Sequence, residues 1–209
     1  MLTSIRKREN KIKSKNQKIL ILLVHATLIT LNNGCSNVEI VSLTEWGGKT
    51  PLPLTDLKLP QKHIIISHTV TPQCHSKTQC ANRMRSMQEY HMHQLGWPNI
   101  GYNFVIGGDG RVYEGTGWTK EGIHTYGWNP KSYGISFIGD YRFQKPNNAM
   151  IKAAHSLTIC GIKKGYISKS RELHGARDAT CTESPGNALY EIIKKWPRFK
   201  GGPLPGYKC

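Results

Sequence analysis

No stretch of this sequence supplies the roughly 20 predominantly apolar residues that a membrane-spanning helix requires. The longest candidate, Ile19 to Leu31, is broken by His25, Thr27 and Thr30. No CxxC pair occurs, which argues against a cysteine-rich zinc module. No internal repeat is visible, and no DNA- or RNA-binding signature accompanies the scattered Lys and Arg residues, so nucleic acid is not an expected partner. Acid is scarce: 13 Asp and Glu stand against 29 Lys and Arg, a formal charge of +16.

Part of that charge belongs to a leader. Met1–Lys18 carries seven basic residues and one acid, Glu9, and precedes the short apolar run and the polar exit Asn32-Asn33-Gly34. Basic, apolar and small-polar segments in this order read as a secretory signal over residues 1–34, with an uncleaved signal anchor as the alternative. The remainder is expected to be secreted and extracellular, without stable membrane insertion. About +10 is left on residues 35–209, long enough for a single domain with a substantial core. A basic surface of this size suits anionic bacterial polymers, or solubility alone. Cys35, Cys74, Cys80, Cys160, Cys181 and Cys209 all follow the leader, and an even count in a secreted chain implies a disulfide framework whose pairing the sequence leaves open.

The pattern along the chain is mixed αβ. His63-Ile64-Ile65-Ile66-Ser67 is a β-branched run suited to a strand buried on both faces of a mixed or parallel sheet. Met84, Met87, His91 and Leu95 recur at helical spacing, predicting a helix from about Lys77 to Leu95 that stops at Gly96. Tyr102–Ile106 and Arg111–Glu114 flank Gly107-Gly108-Asp109-Gly110, a hairpin signal. A strand over Gly134–Gly139 and helices near Ala149–Cys160 and Asn187–Trp196 complete the reading, the last ended by Pro197. The fold class is therefore α/β, a central mixed or mostly parallel sheet with flanking helices.

Several segments taken together carry a family likeness: Ile66-Ser67-His68-Thr69, the Cys74 and Cys80 pair, Gly101–Gly107, Tyr113–Trp118, His124-Thr125-Tyr126-Gly127 and Glu183-Ser184-Pro185-Gly186. In this order they resemble the peptidoglycan recognition proteins, especially the short secreted insect type, from about Glu39 to Phe199. The resemblance implies a fold similar to phage-type zinc amidases, with a groove over one sheet face. It also implies a Cys74–Cys80 bridge, suits Cys35 with Cys160, and leaves Cys181 with Cys209.

Enzymatic members of that family cut the bond between N-acetylmuramic acid and L-alanine with a zinc ion held by two histidines and a cysteine, assisted by a tyrosine. Carried over residue by residue, the ligand positions fall on Ser67, Ala176 and Ser184, while the tyrosine remains as Tyr102. Alanine has no donor atom, and a neutral hydroxyl is a poor zinc ligand beside imidazole or thiolate. The resemblance thus implies a receptor without metal, cofactor or catalytic residues. Two enzyme readings stand against it. One is a rearranged zinc site from His68, His174 and Asp178; the other is a peptidase using Ser184 as nucleophile and His68 as base, although no nucleophile elbow is present. A third reading is a cationic antibacterial protein that works by charge alone.

By resemblance, the groove positions that contact peptidoglycan are His68, Thr69, His91, Tyr102, His124, Tyr126 and Asn129. Gly96-Trp97 matches members that favour diaminopimelate-type stems, but their carboxylate-pairing arginine is replaced by Thr116, which offers one neutral donor instead of a guanidinium fork. Lysine-type or broad recognition is the resulting expectation. The expected partners are bacterial peptidoglycan and downstream immune-signalling proteins.

Overall fold

The β-branched run does form the centre of a sheet. The computed structural model describes residues 35–209, and the expected leader at 1–34 lies outside them. In chain order the strands are β1 (Ile40–Val41), β2 (Gln61–His68), β3 (Phe104–Ile106), β4 (Val112–Glu114), β5 (Ser132–Phe137) and β6 (Ile167–Gly175). They lie side by side as β1-β4-β3-β5-β2-β6, with only β3 and β4 antiparallel. Helix α1 (Lys77–Glu89) follows β2, α2 (Asn148–Lys163) follows β5, and the short α3 (Ala176–Ala179) and α4 (Asn187–Ile193) follow β6.

Side-chain alternation assigns the two faces. Ile64 and Ile66 of β2, Phe104 and Ile106 of β3, and Tyr133, Ile135 and Phe137 of β5 pack with Met150, Ala154 and Leu157 of α2 and with Leu189 and Ile193 of α4. On the opposite face, Val105 and Tyr113 meet Cys80, Ala81, Met84 and Met87 of α1, with Trp46 sealing the cluster. That helix covers β1, β4 and β3 only. Over β5 and β2 the same face carries Ser132, Gly134, Ser136 and Ser67, with Ile65 packed under Trp128, Ala176, Ala179 and Leu204, and this half, without a long helix over it, holds the candidate site.

Local signals account for the helix ends. Ser76 caps α1 by accepting from the Gln79 N–H at 3.3 Å, and Asn147 caps α2 through the Met150 N–H at 3.0 Å. The helical periodicity predicted to Leu95 is met by a change of pitch: α1 ends at Glu89, a π-helical turn spans Tyr90–Gln94, and Gly96 takes φ +67°. The hairpin strands are shorter than expected, and β5 begins at Ser132 and ends at Phe137, before Ile138 and Gly139. The sequence reading missed β1 and β6. Cys74–Cys80 and Cys181–Cys209 are bridged, Cys35 and Cys160 are also disulfide-bonded, and no described cysteine is free.

Asn103 joins the hairpin to the rest of the sheet. Its fully buried side-chain amide donates to the Thr116 hydroxyl at 2.9 Å and to the carbonyls of Gly117 and Lys120, while its oxygen accepts from the Gly134 N–H at 2.9 Å. Replacing Asn103 with Ala strands several buried groups at once. Urea unfolding is expected to show a loss of roughly 2–4 kcal/mol, and a loss below about 1 kcal/mol would remove this residue from its structural role.

Candidate functional site

A cavity of about 480 Å³ opens over the C-terminal ends of β2 and β5. Ser67, Ala176 and Ser184 all line it, together with Tyr102, His68, Thr69 and His124. An adjoining recess of about 260 Å³ shares Thr69 and Tyr102 and adds His91, Met87, Tyr90 and Arg83 from the α1 side. The two form one groove, with Tyr102 and Thr69 at their junction.

At the groove floor the Tyr102 phenol is buried, which raises its pKa; the Ser136 and Ser67 hydroxyls beside it oppose that rise. Neither serine oxygen completes a hydrogen bond of good geometry, nor does His124 Nε2, although the Ser132 backbone lies near enough to the ring to oppose part of the fall in its pKa. An unmet buried polar atom costs about 1–3 kcal/mol. Space for the His124 ring is provided by Gly134, where a Cβ would stand 2.3 Å from the imidazole Cγ.

The histidines are arranged as neutral donors. His68 Nδ1 accepts from the Tyr141 N–H at 3.0 Å, and His91 Nδ1 accepts from the Gly101 N–H at 3.0 Å, so each ring carries its proton on Nε2. Burial lowers the pKa of all three, with Asp140 partly opposing the effect at His68, and takes His91 and His124 to about 4. At the rim, Arg142 pairs with Asp140 at 2.6 Å and approaches Glu183 at 3.6 Å. Val70, also at the rim, holds φ +54°, an unusual conformation for a β-branched residue.

Other expected contact residues lie outside this groove lining. Trp97 supports it from behind, its ring 4.7 Å from that of His91. Gly96 ends the helical segment, and Tyr126 is 96% exposed on its loop. Asn129 staples that loop by accepting from the His124 and Thr125 N–H groups at 3.0 and 2.8 Å. Thr116 is buried with its hydroxyl engaged by Asn103 and turned to the Lys120 carbonyl, so the donor expected to meet a stem peptide is used internally. Sequence reasoning passed over Arg142, Thr180, Thr182, Glu183 and Ser136. Of these only Ser136 left a signal, the small-residue alternation Ser132, Gly134, Ser136 on β5.

Neither rearranged enzyme site is assembled. Asp178 has both carboxylate oxygens occupied, by the Gly175 and Gly202 N–H groups and the Tyr190 hydroxyl, at 2.6–2.9 Å. His174 turns to His63 and the Lys200 carbonyl and does not line the cavity. It fails to share a face with Ala176 because the backbone leaves β6 at Gly175 and enters α3. Ser184 Oγ accepts from the backbone N–H of His68 at 3.1 Å, while the His68 Nδ1 lone pair is taken by Tyr141. The donor set Ser67, Ala176 and Ser184 therefore does not fit zinc, with one position lacking any donor atom and one hydroxyl already an acceptor.

Residues 57–187 match the family model described as N-acetylmuramoyl-L-alanine amidase. Peptidoglycan-recognition protein 1 of Holotrichia diomphalia is 46% identical over 164 residues, 78% of this chain and 83% of that protein. The chain belongs to the peptidoglycan recognition protein family. Among solved structures, the ectodomain complex of recognition proteins LCa and LCx bound to tracheal cytotoxin aligns with TM-score 0.77 and 43% identity, covering 78% of this chain and 99% of the other. Recognition protein LE, in complex with the same molecule, a monomeric diaminopimelic acid-type peptidoglycan, gives 0.76 and 36%, covering 79% and 97%. Among the described residues of this recognition protein, no helix is long and apolar enough to cross a membrane.

The buried histidines set a pH dependence. A free imidazole titrates near 6.5, so between about 6.5 and 4 the unfolded chain takes up protons that folded His91 and His124 refuse. Stability is full above the upper value and declines on acidification through that window. Urea midpoints measured across it should fall with pH, and His91→Gln should flatten the fall; an unchanged slope in the variant contradicts the burial argument.

Proposed function

We propose that this protein is a secreted, non-catalytic receptor that binds the muramyl peptide of bacterial peptidoglycan in the groove over β2 and β5 and reports occupancy to protein partners of innate immunity. The observation that carries the reading is a pair of neutral imidazoles, His68 and His91, each with Nδ1 held by a backbone N–H and Nε2 left as a donor, in the groove that Tyr102 and Thr69 also line. Such donors offer neutral hydrogen bonds to the amides and hydroxyls of a glycopeptide. The tracheal cytotoxin held by two relatives supports the ligand class, and the paired ectodomains of one of them support protein partners.

Absence of cutting follows from chemistry. A zinc amidase needs a metal to lower the pKa of its water toward about 7, and the three positions here supply no adequate donor set. Charge alone is a weaker explanation of binding, because the groove is lined by only two cations, Arg142 and Arg83, and Glu183 stands beside the first. With Thr116 in place of an arginine, and its hydroxyl held inside, the groove lacks a guanidinium at that position; this favours lysine-type stems or broad recognition.

Incubation with lysine-type and diaminopimelate-type peptidoglycan, with zinc present, tests the reading. Retention that survives physiological salt, with no stem peptide released, is expected, and lysine-type polymer should be held at least as well as the other. Release of stem peptide would overturn the non-catalytic assignment. Retention that collapses in salt would replace the groove with simple charge.

A further inference from the structure

β2 and β6 run parallel with His63 opposite Glu172 and Ile65 opposite His174. Strand alternation sends His63, Glu172 and His174 to one side, while Ile64 and Leu173 enter the core behind them. His63 Nδ1 lies 3.1 Å from His174 Nε2, and one Glu172 oxygen lies 3.7 and 3.8 Å from those two nitrogens. The Glu172 side chain is 36% exposed and that of His174 is fully buried, so the cluster has a closed back and an open front. None of these residues lines the peptidoglycan groove.

The second layer is already set for a metal. His174 Nδ1 donates to the Lys200 carbonyl at 2.7 Å, which fixes the tautomer and turns the Nε2 lone pair toward His63. In the metal-free protein His63 then donates its Nδ1 proton to that lone pair. Two imidazole nitrogens bound tetrahedrally to zinc at ~2.0–2.1 Å stand about 3.3 Å apart, close to the spacing present here. The Trp128 ring packs edge-on to His63 at 5.0 Å and holds that imidazole in place.

We propose that His63 Nδ1, His174 Nε2 and a Glu172 carboxylate oxygen bind a divalent transition-metal ion, best matched by zinc, with a fourth position open to solvent. Imidazole and carboxylate donors suit zinc and its neighbours, and not calcium. On loading, His63 moves its proton from Nδ1 to Nε2, so a neutral pair binds the ion without net proton release. Two charges oppose it: Lys131 is near enough to act electrostatically on His63, and Lys200 Nζ sits 3.0 Å from the other Glu172 oxygen. That ammonium leaves one carboxylate oxygen available and limits the affinity. A bound ion would tie edge strand β6 and the Lys200 segment to β2.

The test uses the full chain, stripped with a chelator and titrated with Co²⁺ as a spectroscopic probe and with Zn²⁺ by calorimetry. The expected result is a single site of micromolar affinity, visible Co²⁺ bands of four- or five-coordinate character, and a melting temperature that rises with Zn²⁺. His63→Gln and Glu172→Gln should each weaken binding by roughly tenfold or more and remove the thermal shift, whereas Lys200→Met, which keeps the carbonyl, should tighten it several-fold. These variants alter partly exposed side chains, so the outcome does not depend on the buried His174 tolerating substitution. No binding by the wild type below about 1 mM, or His63→Gln binding with unchanged affinity, would overturn the site.

Discussion

The architecture depends on an asymmetry of side-chain size across one face of the sheet. Where β3 and β4 present Val105 and Tyr113, α1 packs with Met84 and Met87 and closes a core. Where β5 and β2 present Ser132, Gly134, Ser136 and Ser67, apolar surface shrinks to Ile65, which the short α3, Trp128 and Leu204 cover, and no long helix packs there. A sheet face left open in this way is a ready concave site on a rigid base. Its walls come from elements anchored elsewhere: Tyr102 beside the Asn103 amide cluster, His91 on the π-helical turn, and the segment from Thr180 to Ser184 after α3.

Within that groove the chemistry is that of neutral hydrogen bonding. His68 and His91 give their Nδ1 lone pairs to backbone N–H groups and turn Nε2–H outward, and burial keeps them uncharged at neutral pH. Two serines that line the cavity belong to this network. Ser184 fixes the backbone at His68, and Ser67 stands beside the Tyr102 phenol.

Much of the fold could be read from local pattern. The β-branched run gave β2, the glycine-rich turn gave the hairpin, and apolar spacing gave α1 and α2. β6 escaped because Ile167-Ser168-Lys169-Ser170-Arg171-Glu172 is largely polar, as an edge strand with one neighbour allows. Its absence from the sequence reading had a consequence: without the β2–β6 register, the partners of His174 could not be found, and Asp178 and His68 stood in for Glu172 and His63. The groove residues were legible through family motifs, since nothing in periodicity alone separates a groove histidine from a core one. Thr116 was misjudged for a related reason. Only the fold brings Asn103 against its hydroxyl.

A peptidoglycan site in the groove over β2 and β5 makes a direct demand on the protein in solution. Backbone amide shifts of the isotope-labelled protein, recorded while a soluble muramyl peptide is added, test it most directly. Saturable changes are expected at Ser67–Val70, Tyr102, His124, Arg142 and Thr180–Ser184. Changes centred on the Lys58–His63 and Pro130–Lys131 surface instead, or none at saturating peptide, would contradict it.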